Sequence, residues 1–201
     1  PGAPMETLIR ISRVIDAVSR FFGKAIIWLV LASTLISAAN AIARKAFNIS
    51  SNAYLEIQWY LFAALFMLAS GYTFLRNEHV RIDILNSKLS PKARNWVDVF
   101  GILFFLLPIS VLILWLSWPI VMNSYVSGEM SQNPGGLIRW PVKMLLPVGL
   151  GLLVLQAVSE LIKSIAFIVD RGPDPLDRSA GGGIEEQIVA AVKASEGGER
   201  K

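Results

Sequence analysis

The residues that could do chemistry in this chain are a few ionisable side chains set between long apolar runs. Glu129, Arg139 and Lys143 occur in the stretch 127–143, "SGEMSQNPGGLIRWPVK", and Glu56 stands near the start of an earlier apolar run. Carboxylates beside basic groups can transfer protons or form ion pairs, and at a membrane edge each charge needs a partner. We therefore expect Glu129, Arg139 and Lys143 to contact a partner protein. The alternative is an ion pair with Glu56, whose possible partners by topology are Arg139, Lys143, Arg44 and Lys45.

A second group lies in "NEHVRIDIL", where His79 is followed by Arg81 and Asp83. His79 is the single histidine and the chain has no cysteine, which excludes thiolate catalysis and Cys-ligated metals and leaves no second His as ligand. A nucleophile with a matching base and a phosphate-binding loop are also missing, so we expect no enzyme and no cofactor. The three residues are expected to form a hydrogen-bonded clasp in a cytoplasmic loop; a solvated charged loop is the alternative.

The elements that position these residues are apolar. Hydrophobic residues make up 54% of the 201, the mean hydropathy is +0.53, and charged residues are 17%, against roughly 25% in soluble domains. A helix needs about 20 apolar residues to cross a bilayer. The sequence therefore predicts an all-α membrane protein with a four-helix transmembrane domain over 22–170, with spans at 22–43, 54–75, 96–120 and 142–169.

The segments outside the spans have a different character. Over 5–21, Leu8, Ile11, Ile15 and Val18 follow one helical stripe with the arginines largely off it, which predicts an amphipathic interfacial helix with its basic residues near lipid headgroups. A plain extension of the first span is the alternative. Residues 1–4 precede a Met and are expected to be a cloning remnant. The Pro- and Gly-rich stretch 171–201 is expected to be a flexible tail.

Lys and Arg residues are distributed unequally about the spans. Twelve flank the predicted helices on the side of the two termini, and four lie on the opposite side. Because basic residues collect on the cytoplasmic side, both termini are predicted to be cytoplasmic. The net charge of +4 is concentrated beside apolar runs, which favours membrane lipids over nucleic acid as its counterpart.

The predicted middle of the membrane is uncharged. No Asp, Glu, Lys or Arg occurs within 64–68, 103–111 or 150–154. A self-sufficient transporter of an ion or polar solute needs polar groups or broken helices at this depth. The transport site is therefore expected in another chain. A stand-alone homo-oligomeric transporter or channel, and a membrane anchor for a soluble partner, are the alternatives.

Two stretches carry a family resemblance. "NAYLEIQWYLFAALFMLASGYTFLRNEHVRIDIL" and "GEMSQNPGGLIRWPVKMLLPVGLGLLVLQAVSELIK" resemble the small (Q-type) membrane subunit of TRAP transporters, the tripartite ATP-independent periplasmic uptake systems, over about 20–170. The resemblance implies a bacterial inner-membrane protein that anchors the scaffold of a large elevator-type permease subunit. That subunit would carry the sodium and substrate sites, and a periplasmic solute-binding protein would deliver an organic acid.

The resemblance also suggests a role for the polar stretch 127–143. It would lie on the periplasmic face, where Gly135 and Gly136 allow a tight turn and Pro141 fits the first turn of the last helix. The predicted partner interface consists of Glu56, Glu129, Ser131, Arg139, Trp140 and Lys143. The alternative is a turn with headgroup anchors and no protein partner.

Overall fold

Four long helices make up the part of the chain that the structure describes. The computed structural model describes residues 3–48, 51–76 and 89–176, and its helices are α1 (Ala3–Phe47), α2 (Asn52–Leu75), α3 (Pro91–Ser127) and α4 (Trp140–Ile168). Each is long and apolar enough to cross a membrane. The described residues contain no strand beyond one isolated bridge between Met130 and Ile138. The predicted all-α class with four membrane-length helices is confirmed.

Helix α1 includes the segment that the sequence predicts to lie at the membrane interface. Residues 5–21 continue into the first span, because α1 runs without a break for 45 residues; their position at the interface stays a prediction. At 1.5 Å per residue the helix is about 67 Å long, roughly twice the hydrocarbon thickness of a bilayer. Ser12, Asp16 and Ser19 are buried on this segment. The contact of this segment with α4 is therefore polar, whereas the sequence pattern drew attention to its apolar stripe.

Helix α3 begins and continues as its sequence dictates. The Ser90 side chain accepts a hydrogen bond from the N–H of Ala93 at 3.3 Å, and Pro91 takes the first helical position. Further along, Ile102–Leu106 forms a π-helical turn just before Pro108. Pro108 has no N–H to offer the carbonyl four residues earlier, and a wider turn accommodates that loss.

Helices α1, α2 and α4 pack together, and α3 packs on α4. Helices α2 and α4 approach closely where a Cβ built on Gly149 would lie 2.6 Å from the carbonyl oxygen of Met67. The Ser70 hydroxyl bridges the same contact, donating to Met67 O at 2.7 Å and to Gly149 O at 3.2 Å. Small residues allow this spacing, as is common between membrane helices.

The bundle has two ends, which we name by what they contain. The loop end holds the connection 128–139 between α3 and α4 together with the start of α2. The terminal end holds the first turns of α1 and the residues that follow α4. Gly71 of α2 and Ser19 of α1 meet α4 at Leu152 and Gln156 on the terminal side of the bundle.

Residues 170–176 fold back onto the start of α3. Asp174 accepts hydrogen bonds from Arg94 and Asn95, each at 2.9 Å, and Lys92 forms an ion pair with Asp170 at 2.8 Å. The first residues of the predicted flexible tail are therefore held by polar contacts. The remainder of that tail, 177–201, lies outside the described residues.

Candidate functional site

Glu56 is the centre of the loop end. Its side chain is only 3% exposed, and its carboxylate accepts three hydrogen bonds from the 128–139 connection. Leu137 donates its backbone N–H at 2.7 Å, Asn133 donates its side-chain amide at 2.9 Å, and the Ser131 hydroxyl is the third donor. All three donors are neutral. A carboxylate bonded in this way is satisfied without an ion-pair partner.

The connection itself is a compact turn. Ser131 donates its N–H to Leu137 O at 2.9 Å, and Arg139 donates its N–H to Glu129 O at 2.9 Å. Gly135 has a φ of 70°, in the left-handed region that glycine tolerates. A Cβ on Gly136 would lie 2.8 Å from Glu56 Oε1. The two glycines therefore have different roles. Gly135 allows the turn, and Gly136 allows the backbone to approach the carboxylate closely.

Helix α2 fixes the connection at two further points. The amide of Asn52 donates to Pro134 O at 2.9 Å, and the hydroxyl of Tyr60 donates to Ile138 O at 2.9 Å. With Glu56 between them, these side chains place a two-turn stretch of α2 beneath the loop. The loop is consequently held by side chains that satisfy its backbone and amide groups.

Lys143 forms its ion pair with Glu129, not with Glu56. The pair joins the loop to the first turn of α4, and both side chains are about one-third exposed. The hydrogen bond from Lys143, followed by one involving Ser124, holds the pKa of the Glu129 carboxyl below its usual value. The pairing of Glu56 with Lys143, one of the predicted alternatives, is wrong because neutral donors already occupy the Glu56 oxygens.

Arg139 and Trp140 complete the predicted interface set. Within the described residues the Arg139 guanidinium makes no hydrogen bond or ion pair, although its charge acts on Glu56 and Glu129. The Trp140 ring packs edge-on against Tyr125 of α3, with ring centroids 5.4 Å apart. The structure thus brings all six predicted interface residues to one end of the bundle, with Glu56 and Ser131 turned to internal bonding.

The predicted clasp of His79, Arg81 and Asp83 lies outside the described residues. Among the residues that the structure does describe, no group of three metal-binding side chains lies close enough to hold a metal ion.

The terminal end contains a polar cluster that the sequence analysis only partly anticipated. Gln156 of α4 is fully buried and donates to Asp16 of α1 at 2.9 Å and to Glu160 at 3.1 Å. Lys163 lies between the two carboxylates, 2.6 Å from Glu160 and 3.2 Å from Asp16. Ser159 also donates to Asp16 at 2.7 Å. In the sequence, Lys24, Asp98, Glu160 and Lys163 all lie near this membrane boundary, which predicts ion pairs between helices or, alternatively, separate contacts with water. Glu160 and Lys163 do pair, and the structure adds Asp16, which the sequence analysis missed.

A sequence signal for this cluster does exist. Ser12, Asp16 and Ser19 recur at spacings of four and three, so they share one face of α1. Gln156, Ser159, Glu160 and Lys163 do the same on α4. Two polar stripes at helical spacing, each inside a largely apolar helix, favour a contact between those helices. The arginines of the first segment are a stronger sequence signal, and they predict a position at the membrane surface instead.

The fold and the placement of charge define a class of protein. Four membrane-length helices pack directly on one another, and their charged side chains lie at the two ends of the bundle, separated by about 24 Å along α4. This is a multi-pass membrane protein with no charged residue at the centre of its spans. The family model "Tripartite ATP-independent periplasmic transporters, DctQ component" matches residues 33–167, and the chain belongs to this family. No curated protein and no solved structure matches it.

Family membership confirms the predicted resemblance and the coarse function. The chain is a small permease component of a TRAP transporter and a multi-pass membrane protein. The match covers α2, α3 and nearly all of α4, but it begins inside α1. The polar face of the first α1 turns, with Asp16, therefore lies outside the matched residues.

Proposed function

We propose that this chain anchors the scaffold of a large, elevator-type permease subunit in the inner membrane. In this proposal the assembled transporter takes up an organic acid with sodium, and a periplasmic solute-binding protein delivers that acid. The chain performs no catalysis and binds no cofactor. Both termini are cytoplasmic, so the loop end faces the periplasm.

The uncharged middle of the bundle is the observation that carries this proposal. No Asp, Glu, Lys or Arg occurs within 25–43, 57–75, 99–128 or 144–159. In the charged networks described above, the carboxylates and lysines at each end of the bundle pair with one another. A sodium or carboxylate site inside the membrane needs polar ligands or interrupted helices. Of the serines here, Ser70 bonds across the α2–α4 contact and Ser117 bonds a carbonyl of its own helix. The cargo is therefore expected to cross through the partner subunit.

The loop end is the proposed contact surface for a partner. Glu56 and Ser131 hold the connection in one conformation, and the Glu129–Lys143 pair joins it to α4. Arg139 is left with a charge that no described carboxylate binds directly. A rigid loop that presents one unpaired guanidinium suits a protein contact, because little ordering entropy is lost when a preorganised surface binds.

Reconstitution tests the main proposal. The chain is placed in sodium-loaded and sodium-free proteoliposomes alone, with the large permease subunit, and with that subunit plus the binding protein. We expect sodium-dependent uptake of the acid only in the complete system. Uptake by the chain alone would instead establish the stand-alone transporter. Co-elution with a soluble enzyme but not with the permease would favour the membrane anchor.

The contact surface is tested with a matched pair of variants. Arg139→Gln removes the unpaired charge of the loop, and Lys45→Gln removes one exposed charge from the same end of the bundle. If Arg139 contacts a partner, Arg139→Gln lowers co-elution with the permease or uptake by about tenfold, the loss of one charge-assisted hydrogen bond. If the two variants behave equally at equal expression, the loop is a turn with headgroup anchors and no protein partner.

The clasp of His79, Arg81 and Asp83 remains part of the proposal for the cytoplasmic side. We expect His79→Ala to lower the yield of the complex and its melting temperature, because the loop between α2 and α3 would lose hydrogen bonds that fix it. Unchanged yield and melting temperature would leave a solvated loop.

A further inference from the structure

The N-terminal arm, residues 5–24 of α1, divides into three faces along its length. The first face is polar and buried against α4: Ser12, Asp16 and Ser19 lie within about 60° of one another on a helical projection. The second face is apolar and exposed, and it contains Leu8, Ile11, Val14, Val18 and Phe21. Burial of the polar face therefore orients the other two faces outward.

The third face is basic. Arg10, Arg13, Arg20 and Lys24 fall within about 80° on the projection, between the buried polar face and the apolar face. All four side chains are exposed. The acidic residue on the same side is Glu6, near the start of the arm. The four cations thus form a stripe about 21 Å long.

The basic stripe differs from the other cations near this end. Lys163 has two carboxylate partners, Lys92 pairs with Asp170, and Arg94 pairs with Asp174. In contrast, none of the four arm cations forms an ion pair or side-chain hydrogen bond within the part of the chain that the structure describes. Of the two acidic residues of the arm, Asp16 is already engaged with α4, and Glu6 lies at the start of the stripe. The charge of the stripe is therefore available to an anionic counterpart from outside this part of the chain.

The position of the stripe limits what that counterpart can be. Asp16 meets α4 at Lys163 and Ser19 meets it at Gln156, about one and a half and three turns before α4 ends, so the arm lies near the terminal end of the bundle. A surface that meets the exposed apolar side chains and the adjacent cations at the same depth must itself be apolar and anionic. Acyl chains and phosphate groups of a lipid leaflet have this arrangement.

We propose that the basic stripe of the N-terminal arm is a binding site for anionic phospholipid headgroups, with the apolar face of the arm against the acyl chains. The ligand class is a phosphodiester lipid with a net negative charge. The buried polar face attaches the arm to α4. Lipid binding at the basic stripe is a second attachment, and the two together fix the rotation and depth of α1 in the leaflet.

The experiment uses the full chain in zwitterionic detergent micelles doped with either phosphatidylglycerol or phosphatidylcholine. Retained lipid is counted by native mass spectrometry, and affinity is read from the rise in melting temperature with lipid concentration. The test variant is Arg13→Gln/Arg20→Gln. The matched control is Arg44→Gln/Lys45→Gln, which removes two exposed cations from the other end of the same helix.

The wild type is expected to retain phosphatidylglycerol in preference to phosphatidylcholine. The arm variant is expected to bind phosphatidylglycerol about 25-fold more weakly, because each basic residue near an anionic surface contributes about fivefold. The control variant should stay within about twofold of wild type, and Arg13→Lys/Arg20→Lys should retain binding. Added salt should weaken the binding of the wild type more than that of the arm variant.

Several results would overturn the proposal. One is a wild type that shows no preference between the two lipids, which can be measured even if the arm variant fails to fold. Another is an equal loss in the arm and control variants, which would make the effect one of overall charge. A third is cross-linking of the arm to an acidic protein with no response to phosphatidylglycerol. The readout contains no transport step, so its failure leaves the proposed function untouched.

Discussion

The two ends of the bundle satisfy buried carboxylates in different ways. At the loop end, Glu56 is bonded by three neutral donors, one of them a backbone N–H, and all come from an irregular connection. At the terminal end, Asp16 and Glu160 share a single cation, Lys163, and every participant stands on a regular helix. The first site is satisfied by the shape of a loop, and the second by one shared cation together with the neutral donors Gln156 and Ser159.

This difference predicts how each end responds to substitution. A site built from neutral donors needs an acceptor atom opposite each donor, because a buried donor without an acceptor is destabilising. A site with two carboxylates and one cation depends on the count of charges, because an uncompensated buried charge is expensive. The predictions that follow compare the two ends in free energy of unfolding, from the largest expected effect to the smallest.

Removal of the shared cation should have the largest effect. Lys163→Met leaves Asp16 and Glu160 together without a positive charge, and breaking a buried pair in this way costs about 4 kcal/mol. The measurement is denaturant or thermal unfolding of the purified chain in detergent. Adding Glu160→Gln to Lys163→Met should recover part of the loss, since it removes one of the two repelling charges. A double variant no more stable than the single one would contradict the charge-count account.

The same isosteric change made at each end separates the two kinds of site. Glu56→Gln presents an amide N–H₂ to one of the three donors and should cost about 3 kcal/mol. Glu160→Gln leaves Lys163 paired with Asp16 alone and should change stability by less than about 1 kcal/mol. Hydrogen exchange should locate the effect of Glu56→Gln in 128–139. Equal losses from the two variants would remove the distinction between the ends.

The packed region between the two ends offers a third comparison. Gly149→Ala places a Cβ 2.6 Å from the Met67 carbonyl oxygen, so the helices must separate, at about 2 kcal/mol. Gly151→Ala is the matched control on the same helix, since its Cβ would meet nothing closer than Leu114 at 3.9 Å. The free energies of unfolding of the two variants, measured by thermal unfolding, should differ by about 2 kcal/mol. Similar melting temperatures would show that α2 and α4 are not in close contact at Gly149.

The smallest effect is a dependence on pH at the loop end. Because the Lys143 hydrogen bond lowers the folded-state pKa of Glu129 below the ordinary value of 4.5, ionised Glu129 stabilises the folded loop above that pH. The stabilisation is lost as the pH falls through the lowered folded-state pKa. Protection of the 128–139 connection against a protease active at low pH should fall over this interval. Lys143→Met should flatten the dependence, and an unchanged profile in that variant would exclude the pair as its cause.

Local chemistry was sufficient to predict several parts of this protein. The four spans followed from apolar length, and the uncharged middle from the absence of charged residues. The place of 127–143 at one end of the bundle followed from its polarity between two spans. These features depend on the residue types within one segment, so a single sequence is enough to find them.

The partners of the buried charges were decided only by the tertiary structure. Glu56 could have paired with any of four nearby cations, yet its oxygens are filled by Ser131, Asn133 and Leu137 because the turn at Gly135 and Gly136 brings those donors to it. Likewise, the first turns of α1 continue its span since Asp16 meets the polar face of α4, a contact across 140 residues of chain. Sequence determines which groups need a partner, and packing in three dimensions determines which groups reach them, because the hydrogen bonds that decide it act over about 3 Å.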